Sequence, residues 1–89
     1  MFRIGVEEHG DTAVVRVEGK LEGGEAFDAL SKSILGVPPN HIVVDLSGVT
    51  YVDAKGEDTL TLLNRMGVSF MATNCYTLDI CSRCSLTMA

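Results

Sequence analysis

The residues best suited to chemistry follow the most strand-like run of the chain. Ile42–Leu46 is nearly continuous apolar sequence, and Asp53-Ala54-Lys55-Gly56 comes shortly after it. The turn has no serine, cysteine or histidine to act as nucleophile or base, which disfavours catalysis. Two uses remain open for it. In the first, Asp53 caps the first turn of a helix that starts near Gly56. In the second, the turn is a docking surface, which is indicated by Lys55, because a cation is disfavoured near a helix N-terminus.

A second candidate is the glycine-rich segment Gly19–Gly24, which precedes a predicted helix. Glycines at a helix start can cradle a phosphate with their backbone N–H groups. However, the spacing matches neither the dinucleotide fingerprint nor the P-loop. Glu22 and Glu25 would also repel a phosphate, so the segment disfavours nucleotide binding and we predict no cofactor.

The third candidate is the Cys81-Ser82-Arg83-Cys84 motif, with Cys75 nearby. A structural zinc site needs four ligands at matched spacing, and the sequence has no second cysteine pair. On a helix, Cys81 and Cys84 would share a face with Leu78, which favours small buried hydrophobic side chains over ligands. We therefore predict neither a metal site nor a functional disulfide.

The composition limits the possible functions of the chain. Its 89 residues predict one domain, residues 1–89. Seven basic and twelve acidic side chains give a formal charge of -5, which disfavours nucleic-acid binding and permits a basic protein partner. No apolar run is long enough to span a membrane, and the N-terminus lacks a signal-peptide pattern, so we expect no membrane insertion and a cytoplasmic location.

Hydrophobic periodicity predicts the order β-β-α-β-α-β-α. Alternation at Ala13, Val15 and Val17 predicts a hairpin with one wet face. A helix is predicted over about 24–35, and Gly36 and Pro38-Pro39 stop it. A strand covered on both faces follows over 42–46, then a turn at Ser47-Gly48 and an extended link over 49–52. The last predicted elements are a helix from Gly56 with an apolar stripe of Leu60, Leu63 and Met66, a strand over 68–72 and a helix over 77–86.

Alternating strands and helices imply a mostly parallel sheet with one antiparallel pair. In such α/β sheets, sites form where strands lead into helices at their carboxyl ends. Three segments occupy those positions: Gly19–Gly24, Ser47–Gly56 and Thr73–Thr77. We expect them to lie close together.

Over Phe2–Leu86 the chain resembles the STAS domain, the fold of bacterial anti-sigma-factor antagonists and of the cytoplasmic tails of sulfate transporters. Val15–Leu21 is similar to the family's strand that ends in glycine, polar residue and leucine. His41–Asp53 closely matches its central strand and signature aspartate, and Gly67–Ala72 fits the next strand. The resemblance implies an α/β domain with a mixed, mostly parallel sheet that binds another protein and is not an enzyme.

The sequence departs from the family at the site of regulation. Phosphorylated members have Asp-Ser-Ser-Gly or Asp-Ser-Ala-Gly where this chain has Asp53–Gly56, and the serine that a partner kinase modifies is replaced by Ala54. The chain also ends before the longer last helix of the family, as a minimal version or with a trimmed end. The resemblance thus implies the partner-binding surface that phosphorylation regulates in the family, without the serine that is phosphorylated.

The predicted partner-binding surface comprises Glu22, Asp53, Ala54, Lys55, Glu57 and Asp58. By resemblance, the partner is an anti-sigma factor of the serine-kinase type or another signalling component. Two alternatives stay open at this point. One is a STAS subunit that docks in a transport assembly, and the other is a small-ligand or nucleotide-binding regulator that uses the same loops.

Overall fold

A computed structural model describes residues 2–34, 36–38 and 41–89. In these ranges a four-stranded mixed sheet in the order β1-β2-β3-β4 packs against three helices. The strands are β1 (Phe2–His9), β2 (Thr12–Leu21), β3 (Ile42–Val52) and β4 (Ser69–Met71); the helices are α1 (Glu25–Ser33), α2 (Ala54–Arg65) and α3 (Cys75–Arg83). β1 and β2 are antiparallel and the other pairs are parallel, which confirms the predicted α/β class and element order.

The β1–β2 hairpin places the first apolar layer of the core. A two-residue turn at Gly10-Asp11 joins the strands, and Gly10 has a φ of +62° that a glycine adopts without strain. Ala13, Val15 and Val17 are buried on one face of β2, as their alternation predicts. The opposite face of the strand is open to solvent at Arg16.

β3 is longer than the sequence predicts. Ser47-Gly48 does not form a turn and 49–52 is not a separate link, because both lie inside one continuous strand. Opposite β2, the register shifts twice and β3 carries an extra residue each time. A Cβ on Gly48 would lie 2.7 Å from Glu18 Cγ, so this glycine permits close approach of the strands rather than a reversal of the chain.

The two faces of the strand over 42–46, which the sequence predicts to be covered on both, are buried to different extents. Ile42, Val44 and Leu46 belong to the buried core together with residues of all three helices. On the other face, Asp45 pairs in register with Arg16, whose Nε lies 3.8 Å from Asp45 Oδ2. Asp45 is 8% exposed and Val43 is half-buried, so this face is partly covered although it carries a charged pair.

The first two helices follow the predicted stripes with differences at their ends. The helix α1 ends at Ser33. The predicted first helix extends to residue 35, which lies outside the described ranges, as does residue 39 of the predicted Pro38-Pro39 stop. Leu60 and Leu63 of α2 are fully buried as predicted. Met66 is exposed instead of buried, because α2 ends at Arg65 and Met66 is its C-cap.

The last helix begins and ends earlier than the predicted range of 77–86. The Asn74 side chain caps it by accepting a hydrogen bond of 2.8 Å from the Thr77 backbone N–H. After α3, the chain returns to the edge of the sheet, where the N–H of Phe70 donates to the Thr87 carbonyl at 2.8 Å. β4 is shorter than predicted, and within the described residues no helix has the length and apolarity needed to cross a membrane.

Candidate functional site

Asp53 lies where β3 leads into α2, and its carboxylate joins two loops. Oδ1 accepts a 2.7 Å hydrogen bond from the Gly56 N–H, which confirms the predicted helix cap. Oδ2 accepts a 3.0 Å hydrogen bond from the Gly23 N–H in the loop between β2 and α1. The hydrogen bonds from Gly56 and Gly23 hold the pKa of the Asp53 carboxyl below its ordinary value, because both donors favour the charged form.

The two loops are also held together by backbone contacts. The Asp53 N–H donates to the Leu21 carbonyl at 3.1 Å, directly beyond the last register pair of β2 and β3, Leu21 and Val52. Gly56 is buried against the same carbonyl, and a Cβ at this position would collide with it and with Val52 Cγ1. Glycine is therefore required here by close packing.

The third predicted segment also reaches this edge of the sheet. The Val52 N–H donates to the Tyr76 hydroxyl at 2.9 Å, and Asn74 Nδ2 donates to the Ser47 carbonyl at 3.2 Å. Contacts of Asp53 with the first segment and of Val52 with the third thus confirm that the three segments meet. Together they fix the path of the chain as it enters α2.

Ala54 and Lys55, which follow the cap, have exposed side chains. Asp58 is exposed one turn later, and it borders a cleft between α2 and α1 together with Lys55. The turn therefore presents a methyl group and two side chains of opposite charge at the start of α2. The turn over 53–56 contains no serine, cysteine or histidine side chain.

Glu57 is separated from the rest of the predicted surface. With about 3.6 residues per turn, it lies on the far side of α2 from Lys55. There, Arg83 Nη1 lies 3.2 Å from Glu57 Oε2, and Arg83 Nε donates to Asp79 at 3.0 Å. Glu57 thus connects α2 to α3, and the structure does not bring it to the Lys55 side.

Glu22 is exposed in the loop that also contains Gly23. It borders a different cleft, of about 550 Å³, between β1 and α1. Among the described residues, those that line this cleft are Phe2, Ile4, Glu22, Glu25 and Ala29. The cleft combines an apolar floor with carboxylates, so the structure divides the six predicted residues among three places.

The cysteines differ in their surroundings. Cys81 is buried, Cys84 is half-buried and Cys75 is exposed, so the interpretation as buried hydrophobic side chains holds best for Cys81. Burial raises the pKa of the Cys81 and Cys84 thiols above the ordinary value. The predicted shared face is wrong for Leu78, which is exposed, and in the described ranges no group of three or more His, Cys, Asp or Glu is arranged to hold a metal.

Three residues that make contacts at the site, Gly23, Tyr76 and Arg83, are not among the six residues of the predicted partner-binding surface. The Gly23 N–H donates to Asp53, 30 positions away, and the Tyr76 hydroxyl accepts from Val52, 24 positions away. Arg83 forms an ion pair with Glu57. The positive φ of Gly23, +69°, is the only one of these features with a local sequence signal, since the residue belongs to a glycine pair.

Comparison with known proteins places this geometry in a recognised fold. No protein-family model matches the chain. The structure of an anti-sigma factor antagonist from Mycobacterium paratuberculosis superposes with a TM-score of 0.78 at 21% identity, over 96% of this chain and 79% of that one. The anti-sigma factor antagonist SpoIIAA in its unphosphorylated form gives a TM-score of 0.68 at 14% identity, over 98% and 87% of the two chains. The chain therefore has the STAS-like fold of anti-sigma factor antagonists, as the sequence predicts.

Proposed function

We propose that the chain is a non-enzymatic protein-interaction domain of the anti-sigma-factor-antagonist type, formed by residues 1–89. Its partner is an anti-sigma factor of the serine-kinase type, and it docks through the exposed turn that Asp53 holds in place. Because Ala54 occupies the position of the family's phosphorylated serine, the domain binds constitutively. The proposal includes no cofactor, no nucleic acid and no membrane insertion.

The observation that carries this proposal is the pair of hydrogen bonds made by Asp53. They fix the turn against two loops, while Ala54 and Lys55 remain exposed. A rigid, exposed turn loses little conformational freedom when a partner binds it. The same rigidity, in a turn without serine, cysteine or histidine, supports recognition over chemistry.

The neighbouring hydroxyl groups support a surface that phosphorylation does not switch. Thr59 is buried and donates its hydroxyl to the Lys55 carbonyl at 3.1 Å, so a kinase would have to open α2 to reach it. Thr50 is exposed, but it lies in β3 and donates to the Gly19 carbonyl at 3.3 Å. Neither hydroxyl occupies the helix-start position that Ala54 holds.

The nucleotide-binding alternative has less support. The cleft of about 550 Å³ is large enough for a small ligand, but among the described residues its lining contains two carboxylates and no cationic side chain. A nucleotide phosphate would meet repulsion from the Glu25 carboxylate there. The geometry of the site therefore favours a protein partner.

Binding in the presence of ATP tests the proposal. Each purified anti-sigma serine kinase of the source organism is titrated with the parent protein and with Ala54→Ser, with and without ATP and Mg²⁺. We expect one kinase to bind the parent equally in both conditions, whereas ATP weakens its binding to Ala54→Ser as a phosphate accumulates. If every kinase fails to bind the parent, or if ATP releases the parent, the proposed function is wrong.

A further inference from the structure

The cleft between α1 and α2, called the docking cleft below, is a second feature of the surface beside Ala54. Its volume is about 260 Å³. It is lined by Gly24 and Phe27 from the start of α1 and by Lys55, Asp58, Thr59 and Leu62 from α2. Leu62 is 45% exposed, so the cleft presents apolar surface directly to solvent.

The apolar surface continues beyond the cleft along α2. Lys55, Leu62 and Met66 are seven and then four positions apart, a spacing that keeps side chains on one face of a helix. Met66 is 46% exposed. Two large apolar side chains one turn apart therefore extend from the cleft, with a lysine at the other end of the same line.

The size and the charges of the cleft indicate what it binds. Small-molecule sites usually enclose roughly 300–1,000 Å³, so about 260 Å³ suits side chains of a protein better than a whole ligand. Lys55 and Asp58, three positions apart on α2, place opposite charges at one end of the cleft. Complementary charges on a partner would fix the direction in which it lies.

We infer that the docking cleft receives an amphipathic helix of the partner protein. This helix places two apolar side chains, one turn apart, against Leu62 and Met66, and an acidic side chain against Lys55. The anchors are one turn apart, which matches helix-in-groove recognition, whereas an extended peptide would pair with a sheet edge. The inference rests on the proposed function for the partner's identity and on the geometry of α1 and α2 for its mode of binding.

A defined peptide tests the cleft without any knowledge of the partner. The probe is a hydrocarbon-stapled helical peptide with two leucines one turn apart and one glutamate two turns away from the nearer leucine, which matches the spacing of Met66, Leu62 and Lys55. The matched control has lysine in place of the glutamate. In amide NMR titrations of the full chain, we expect the first peptide to shift resonances around Phe27 and Lys55–Met66, and to bind at least about threefold more tightly than the control.

Two exposed leucines provide a matched pair of variants. Leu62 lies in the docking cleft, and Leu78 on α3 is 44% exposed and lies outside the lining. We expect Leu62→Ala to weaken both peptide and kinase binding roughly tenfold, as for a buried interface anchor, and Leu78→Ala to leave both unchanged. Equal binding by the two variants, or peptide shifts outside the cleft, would overturn the inference.

The two proposals fail in different ways. If a kinase binds the parent and Leu62→Ala equally but loses Ala54→Asp, the turn is the interface and the cleft is not. If the cleft binds the glutamate peptide and no kinase binds the parent, the cleft inference stands and the proposed function fails. If neither ligand binds, both proposals are contradicted.

Discussion

The carboxylate of Asp53 accepts the backbone N–H of Gly23 at 3.0 Å, across 30 positions of sequence. Its other oxygen accepts the N–H of Gly56. One side chain therefore holds the entry to α2 against the loop before α1. This relationship makes Asp53 a structural determinant of the proposed surface, since the exposed residues follow it directly.

Removing the carboxylate should loosen both loops. We expect Asp53→Ala to raise the unfolding equilibrium constant roughly tenfold, as expected for loss of a helix cap and a second hydrogen bond. Asp53→Asn should have a smaller effect, because its single amide oxygen can replace only one of the two acceptors. Urea denaturation measures both, and equal stability of Asp53→Ala and the parent would show that the two bonds contribute nothing.

The lowered pKa of Asp53 predicts a specific pH dependence. Because the folded-state pKa lies below the ordinary value of 3.8, the unfolded state binds more protons between the two values, and stability rises with pH in that window. The contribution is fully present above the unfolded pKa and is lost as pH falls through the folded pKa. NMR titration of the Asp53 carboxyl should give a midpoint below 3.8; a midpoint at or above this value would contradict the assigned hydrogen bonds.

Gly56 should not tolerate a side chain. An alanine Cβ would collide with the Leu21 carbonyl and lie 2.8 Å from Val52 Cγ1, so we expect Gly56→Ala to destabilise the fold by about 2 kcal/mol despite the better helix propensity of alanine. Gly5→Ala is the control, since no atom lies within 4 Å of the added Cβ and stability should change by less than about 0.5 kcal/mol. Urea denaturation of both variants provides the comparison.

The three thiols should react at different rates. Cys75 is exposed, whereas Cys81 is buried and the pKa of its thiol is raised, mainly by burial. Because the thiolate is the reactive form, we expect one fast reaction with Ellman's reagent at Cys75 and slow reactions at Cys81 and Cys84. Mass spectrometry of partly modified protein locates the label, and rapid labelling of Cys81 in the native state would contradict its burial.

Local patterns predict those parts of the fold that depend on neighbouring residues. Alternation at Ala13, Val15 and Val17 predicts β2, because successive side chains of a strand point to opposite faces whatever the distant contacts are. Ser47-Gly48 has the composition of a turn, but Gly48 is required by the approach of Glu18 in another strand. A distant contact thus decides between two uses of the same glycine.

In the candidate site too, neighbouring residues determine some features and distant contacts determine others. The capping role of Asp53 follows from its position before α2, because a cap acts within three residues. The ion pair between Glu57 and Arg83 depends on the location of α3, since Arg83 is 26 positions away along the chain. Helical spacing alone places Glu57 on the side away from Lys55, but only the fold shows that this side is occupied.

The proposed function requires that the turn at Ala54, which carries no phosphate, contacts the partner directly. Isothermal titration of the binding kinase with Ala54→Ser and Ala54→Asp, without ATP, tests it most directly. We expect Ala54→Ser to bind like the parent, because a small neutral side chain changes little. We expect Ala54→Asp to bind at least about tenfold more weakly, since it places a negative charge where a phosphate would stand. Binding of Ala54→Asp as tight as that of the parent would contradict the claim and leave Val49–Gly56 with a structural role alone.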